Sequence, residues 1–495
     1  MLEALWEGLL LVLQWKAFGF MLLGIGLGFW VGLLPGLGGA TTLALMLPFI
    51  YTMQPVEAFA FLLGMHAVVA TTGDITSVLF GLPGEATSAA TVVDGYAMTK
   101  KGEAGRALGA ALMSSLVGAI VGAVALAAAI PVVRPLVLTF GSPELFMLAI
   151  VGLAFIASLS GEGTRGMLRG FLAGGFGLLL ATIGQDPQAG VARFTFDSLY
   201  LMQGLDLVPV LVGIFAIPEI IDLFVRGSSI ANAPAGKMSK GAWEGVKDTF
   251  RHFWLTIRCS LIGTFIGVMP GLGGSVAQWM AYGHAAQSAK TPEERRQFGQ
   301  GDVRGVLGPG AANNSKEGGS LIPTVAFGVP GSTSMAILLG GFLLLGLVPG
   351  PEMLTTHVTV TYSMVWTIVI ANIITVAVCF LFLDRLARIT NVKGHRLIPV
   401  ILLLVFIGSY TSNSHYGDLV VTLLAGGVGY LMVLAGWPRA PFVLGLVLGK
   451  IAENYLYIST ARYEAAWLTR PVVLVLMATA LVVIAYPFFQ TRRRG

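Results

Sequence analysis

The chain has 495 residues, of which 55% are apolar and 11% charged, with a net charge of +5 and a mean hydropathy of +0.81. Soluble domains carry about a quarter charged residues, so this balance excludes a water-soluble globule and calls for membrane crossings of about 20 apolar residues each. The 65 glycines and 23 prolines do not mean disorder, which requires low hydrophobicity; in lipid, small residues let helices pack closely, and helix breaks are tolerated where they line a protein cavity.

In chain order, the first seven residues carry Glu3 and Glu7 and lack the basic stretch of a cleaved signal peptide. An apolar run then ends at Pro35-Gly36-Leu37-Gly38-Gly39, with a further helical stretch beginning just after. Proline ends a helix and glycine admits φ above zero, so this segment predicts a helix break. The polar stretch Thr71-Thr72-Gly73-Asp74-Ile75-Thr76-Ser77 leads into Gly81-Leu82-Pro83-Gly84-Glu85-Ala86-Thr87-Ser88. Crossings are expected at 107–130, 358–383 and 471–489, within a total of about 10 to 12.

From residue 236 the pattern starts again. Trp6-Glu7-Gly8 returns as Trp243-Glu244-Gly245, and the first break returns as Pro270-Gly271-Leu272-Gly273-Gly274. Phe80-Gly81-Leu82-Pro83-Gly84 returns as Phe327-Gly328-Val329-Pro330-Gly331, followed by Ser332-Thr333-Ser334. Leu172-Ala173-Gly174-Gly175 matches Leu424-Ala425-Gly426-Gly427, and Pro209-x3-Gly213 matches Pro441-x3-Gly445. Such order indicates a duplication: a first membrane repeat at 1–235, a second at 236–465, and an extra helix with a basic tail at 466–495.

Basic residues in short loops mark the cytoplasmic side. Lys237, Lys240, Lys247, Arg251 and Arg258 lead into the second half, where the first half has Glu3, Glu7 and Lys16. Lys100, Lys101 and Arg106 oppose a stretch at 345–351 without basic residues, and Arg165 and Arg169 oppose the segment at 411–418. Arg385, Arg388, Lys393 and Arg396 oppose a lone Arg134. The bias reverses each time, which predicts inverted repeats with broken or re-entrant helices in an all-α polytopic protein.

A break at membrane depth frees carbonyls on one side and N–H groups on the other. The N–H side suits an anion and the carbonyl side a cation. Candidate binding residues are therefore Pro35, Gly36, Gly38 and Gly39 with Pro270, Gly271, Gly273 and Gly274. To these the polar segments add Asp74, Gly81, Pro83, Gly84, Thr87 and Ser88 in the first half. The second half adds Asn313, Asn314, Ser315, Lys316, Gly328, Pro330, Gly331, Ser332, Thr333 and Ser334. Polar groups inside a membrane are costly unless paired or facing an aqueous cavity. Hydroxyls and N–H groups suit a carboxylate; Asp74, Asn313 or Asn314 with carbonyls suit a small cation. Lys316 either neutralises substrate charge or pairs with Glu317. Asp94 and Glu85 are weaker candidates, readable as interfacial loop residues, and 293–296 reads as a solvated loop.

Other chemistry is not expected. No phosphate-binding loop points to an ATPase, His66 and His284 stand apart from each other and from Cys259 and Cys379, and no metal site, catalytic constellation or nucleic-acid footprint is expected.

The paired Pro-Gly-Leu-Gly-Gly motifs, Gly81–Ser88 with Asp94-Gly95-Tyr96, and Asn313-Asn314-Ser315 through Pro330-Gly331-Ser332 resemble the large membrane subunit of the tripartite tricarboxylate transporters, the TctA family. The resemblance covers nearly the whole chain. It implies a multi-pass carrier of the bacterial inner membrane, coupled to a sodium or proton gradient. It further implies a small membrane subunit and a periplasmic solute-binding protein that delivers a di- or tricarboxylate. A stand-alone carboxylate carrier or channel is the alternative. The identity of the carboxylate, the coupling ion, the oligomeric state and the choice between rocking and elevator motion stay open at this stage.

Overall fold

The structure is a computed structural model that describes residues 1–32, 38–159, 163–186, 188–226, 239–389 and 398–492. Pro35 and Gly36 lie outside the described residues, as do Lys237, Lys393, Arg396 and the last two arginines. Among the described residues there are 21 α-helices and one short two-stranded ribbon, Gly184–Gln185 with Ala192–Arg193. The first half holds α1 (Leu2–Val12), α2 (Trp15–Gly32), α3 (Gly39–Met46), α4 (Pro55–Phe80), α5 (Ala89–Lys100), α6 (Ala104–Val137) and α7 (Ser142–Leu159). It continues with α8 (Gly163–Ala181), α9 (Leu199–Met202) and α10 (Leu207–Arg226). The second half holds α11 (Ser239–Arg251), α12 (Phe253–Val268), α13 (Gly273–Gln287), α14 (Pro292–Gln297), α15 (Arg304–Phe327) and α16 (Thr333–Leu344). After these come α17 (Val358–Ile389), α18 (Ile398–Asn413), α19 (Tyr416–Leu434), α20 (Arg439–Tyr463) and α21 (Pro471–Arg492). Seven of these helices are long and apolar enough to cross a membrane, and six shorter apolar helices accompany them. The protein is an all-α polytopic membrane protein.

Two helices sit at the centre. The 18-residue apolar window of α4 is wholly buried, and nearly every residue of α15 from Gly305 to Ala326 is buried as well. Because protein surrounds them rather than lipid, they tolerate Asp74, Asn313, Asn314, Lys316 and Glu317, which a lipid-facing helix does not. Glycines set how closely neighbours approach: a Cβ at Gly28 of α2 would meet Met65 O of α4 at 2.7 Å, and one at Gly263 of α12 would meet Ala312 O of α15 at 2.7 Å.

The packing partners recur in pairs. α2 lies on α4 as α12 lies on α15; α1 lies on α17 as α11 lies on α6. In the outer part, Gly429 of α19 seats on the Ile214 backbone of α10, and Gly177 of α8 seats on the Phe442 backbone of α20. α21 packs on α7 and α8.

Both central helices stop in the same way. Gly81 (φ 68°) and Gly328 (φ 66°) take the left-handed conformation that ends a helix without a Cβ clash. The Gly-x-Pro-Gly segments then fold back onto the helices they left: a Cβ at Gly84 would meet Gly73 Cα at 2.6 Å, and one at Gly331 would meet Ser320 Cα at 2.9 Å.

Two expectations are corrected. Residues 293–296 are not loop: they lie in the exposed helix α14, which starts at Pro292 and whose N-cap Thr291 accepts from the Glu294 N–H. Asp94 is not interfacial loop: it is buried on α5 and accepts N–H bonds from Gly299, Gly301 and Asp302 at 2.7–3.0 Å. It therefore clasps the segment that opens α15.

Candidate functional site

Between the two central helices and the outer part lies a cavity of about 550 Å³, large enough for a small organic anion. Four helices begin on its wall: α3 at Gly38–Gly39, α13 at Gly273–Gly274, α16 at Ser332–Thr333 and α20 at Pro438–Arg439. A helix start leaves N–H groups without intrahelical acceptors and carries about half a positive charge. Four such starts around one space make it strongly receptive to an anion.

The side chains elaborate this. Thr41, Thr87, Ser275, Thr333 and Ser334 line the wall with hydroxyls, and Ser332 caps α16 by accepting from the Met335 N–H at 3.3 Å. Among the described residues, Lys316 and Arg439 are the lysine and arginine on the wall. Each meets a carboxylate: Lys316 pairs with Glu317, and Arg439 meets Glu219 at 3.1 Å. His66 Nε2 approaches the same Glu317 oxygen at 3.1 Å, so Glu317 joins α4 to α15 behind the wall. Glu85 lines the cavity; one of its oxygens accepts the Gly39 N–H at 3.1 Å and the other accepts the Thr87 hydroxyl at 2.6 Å. The first helix break is thus held by a carboxylate from the first Gly-x-Pro-Gly segment.

Of the residues singled out in the sequence, Gly38, Gly39, Pro83, Gly84, Thr87, Gly271, Gly273, Gly274, Lys316, Ser332, Thr333 and Ser334 come together on this one cavity. The glycines act differently. Gly271 (φ 83°) and Gly273 (φ 69°) need left-handed backbone, whereas Gly38 has an ordinary φ of −73°. In the first break the tight position is Gly39, where a Cβ would fall 2.5 Å from His66 Nδ1.

The remaining candidates support the cavity without lining it. Gly81 and Gly328 end the central helices, Gly331 packs against the Ser320 backbone, and Pro330 is buried beside it. Pro270 precedes Gly271 in the second break. Ser88 accepts the Ser77 hydroxyl at 2.9 Å and donates to Glu85 O at 2.9 Å, closing the loop. Ser315 lies against α12, its carbonyl accepting the Thr264 hydroxyl at 3.4 Å. Asn314 Nδ2 lies 2.6–2.8 Å from Thr71 Oγ1, Ser115 Oγ and Asn372 Oδ1 and shares its two hydrogens among them, which ties α15 to α4, α6 and α17. Asn313 donates to Ala70 O and to Asp74 Oδ2 at 2.8 and 3.1 Å. Asp74, Asn313 and Asn314 therefore sit in the packed interior beneath the cavity.

Sequence reasoning did not single out His66, Thr41, Glu219 and Arg439, which line the cavity, as does Glu85, placed among the weaker candidates. Arg439 carried a readable signal, a single arginine following proline at the start of an apolar helix; Glu219 and Thr41 carried none.

A sequence model of one family, described as "Tripartite tricarboxylate transporter TctA family", matches residues 18–444. Two similar proteins come from Agrobacterium vitis. The "Uncharacterized 52.8 kDa protein in TAR-I ttuC' 3'region" is 34% identical over 477 residues, covering 95% of this chain and 93% of that protein. The "Uncharacterized protein in TAR-II ttuC' 3'region" is 29% identical over 225 residues, 45% of this chain and 92% of that protein.

Proposed function

Because the chain belongs to the tripartite tricarboxylate transporter TctA family, we propose that it is the large permease subunit of a binding-protein-dependent transporter importing a tri- or dicarboxylate across the bacterial inner membrane. The convergence of four helix starts on one cavity carries this reading. Half-helix N-termini are the devices with which secondary transporters hold anionic groups near the bilayer midplane. Lys316 and Arg439 offer two further points of charge. Their internal carboxylates keep them from standing bare when no substrate is bound, and a substrate carboxylate exchanges for Glu317 or Glu219.

In this reading a small membrane subunit completes the assembly and a periplasmic solute-binding protein delivers the substrate. Entry of the polyanion is driven by cotransport of sodium ions or protons. The chain works as two inverted repeats, 1–235 and 236–465, with 466–495 appended; the paired packing of α2 on α4 and α12 on α15 supports that division. Uptake of radiolabelled citrate and succinate into proteoliposomes tests the function. With both membrane subunits reconstituted, uptake is expected to require the purified binding protein outside and an imposed cation gradient, and to ignore ATP inside. Equal uptake without the binding protein would establish the stand-alone carrier instead.

A further inference from the structure

Beneath the Gly81–Ser88 segment, α4, α5 and α15 present three side-chain oxygens that meet no hydrogen-bond donor: Asp74 Oδ1, Thr91 Oγ1 and Asn313 Oδ1. The three residues are 2%, 0% and 0% exposed. They form one cluster. Asn313 spends both amide hydrogens on Ala70 O and Asp74 Oδ2, which fixes the amide orientation and leaves its oxygen without a donor. The Thr91 hydroxyl lies beside the same carboxylate. A carboxylate oxygen buried among neutral oxygens is a costly arrangement unless a positive charge joins it.

We infer that Asp74, Thr91 and Asn313 form a site for a sodium ion, separate from the anion-receptive cavity and directly below it. The donor set is all oxygen, as hard cations require, and its single formal charge matches a monovalent ion. A proton on Asp74 would satisfy one of the two neighbouring oxygens; a sodium ion engages all three. This inference rests on the cation-coupled reading and supplies its connection to the substrate. Gly73 O, next to Asp74, accepts the Thr76 hydroxyl at 2.9 Å, and the Ser77 hydroxyl lies 2.9 Å from both Gly73 O and Ser88 Oγ, its one hydrogen shared between them. Ser88 braces the loop carrying Glu85 and Thr87, both on the cavity wall. An ion at Asp74 thereby steadies the loop that shapes the cavity.

The test is thermal unfolding of the purified protein in detergent, without substrate, in sodium, potassium or choline chloride at constant ionic strength. A saturable rise in Tm specific to sodium is expected. In Thr91→Val and Asp74→Asn the sodium concentration giving half the effect should rise about ten-fold or more, while Thr91→Ser keeps the wild-type response. Should Asp74→Asn fail to fold, the Thr91 pair decides. No sodium-specific stabilisation, or an unchanged response in Thr91→Val, overturns the site. Proton-driven carboxylate uptake together with sodium-blind unfolding removes the sodium site and leaves carboxylate transport standing; sodium stabilisation without carboxylate uptake does the reverse.

Discussion

Lys316→Met separates two roles that its position combines. Lys316 is 4% exposed and pairs with Glu317, itself 5% exposed; it also lines the cavity. Removing one partner of a buried ion pair strands the other and typically costs about 3–5 kcal/mol. Here His66, 3.1 Å from the same Glu317 oxygen, takes up part of that loss, so the lower end is expected. Adding Glu317→Gln removes the stranded charge, and the double variant should regain most of the lost stability. What it should not regain is substrate affinity. A hydrogen bond to a charged group contributes about 1.5–3 kcal/mol, or roughly ten- to a hundred-fold in Kd. The assay is a double-mutant cycle read twice, by chemical unfolding in detergent and by the KM of reconstituted uptake. If the double variant recovers both stability and KM, Lys316 serves only to neutralise Glu317, and its role toward the substrate is wrong.

Gly39→Val should abolish uptake in a protein that still assembles, because its Cβ meets His66 at 2.5 Å, whereas Gly38→Ala should transport normally, since Glu85 Cβ at 3.5 Å is the nearest atom; equal loss in both would refute the distinction. Asn314→Leu removes an amide whose two hydrogens serve three neighbouring acceptors and should lower stability by about 2–4 kcal/mol while leaving the KM of the folded fraction unchanged. With Cys259 and Cys379 replaced, single cysteines at Glu3 and Lys247 should react with impermeant maleimide from opposite sides of the membrane; same-side labelling would remove the inverted-repeat proposal.

The fold was legible where chemistry repeats. Paired Pro-Gly and Gly-x-Pro-Gly motifs exposed the breaks because only those residues end a helix and let backbone approach so closely. Hydropathy, by contrast, passes over α15: its asparagines, serines, Lys316 and Glu317 look unsuited to lipid, and it meets none, being enclosed by α4, α6, α12 and α13. The same enclosure explains the reading of Asn314. A buried amide in a membrane protein suggests a ligand, yet its nitrogen meets acceptors on three other helices and so also braces the packing. Local sequence cannot distinguish the two, because the partners Ser115 and Asn372 lie 199 and 58 residues away. Arg439 and Glu219 reach the cavity only through the packing of the outer helices, and no spacing within the motifs foretells it.

The charges around the cavity tie the two binding readings together. Lys316 and Arg439 are already balanced by Glu317 and Glu219, and Glu85 adds a carboxylate held by a backbone N–H and a hydroxyl rather than by a cation. Among the described residues of the wall and its backing, the carboxylates Glu85, Glu219 and Glu317 therefore outnumber the cations Lys316 and Arg439 by one. On the proposed reading, a tricarboxylate entering this space finds no spare positive side chain among the described residues lining it. It has to displace internal carboxylates and draw on the four helix starts, whose partial charges are fixed in the fold. In a low-dielectric interior, the displaced charge and the excess negative charge are costly unless a cation arrives with the substrate. Asp74 lies under the loop that carries Glu85, so a cation there lowers the negative potential beneath the cavity as it braces the cavity wall. If the lower site takes a cation as proposed, coupling is expected from electrostatics: substrate should bind better with that site filled, and by reciprocity the site should fill more readily with substrate bound.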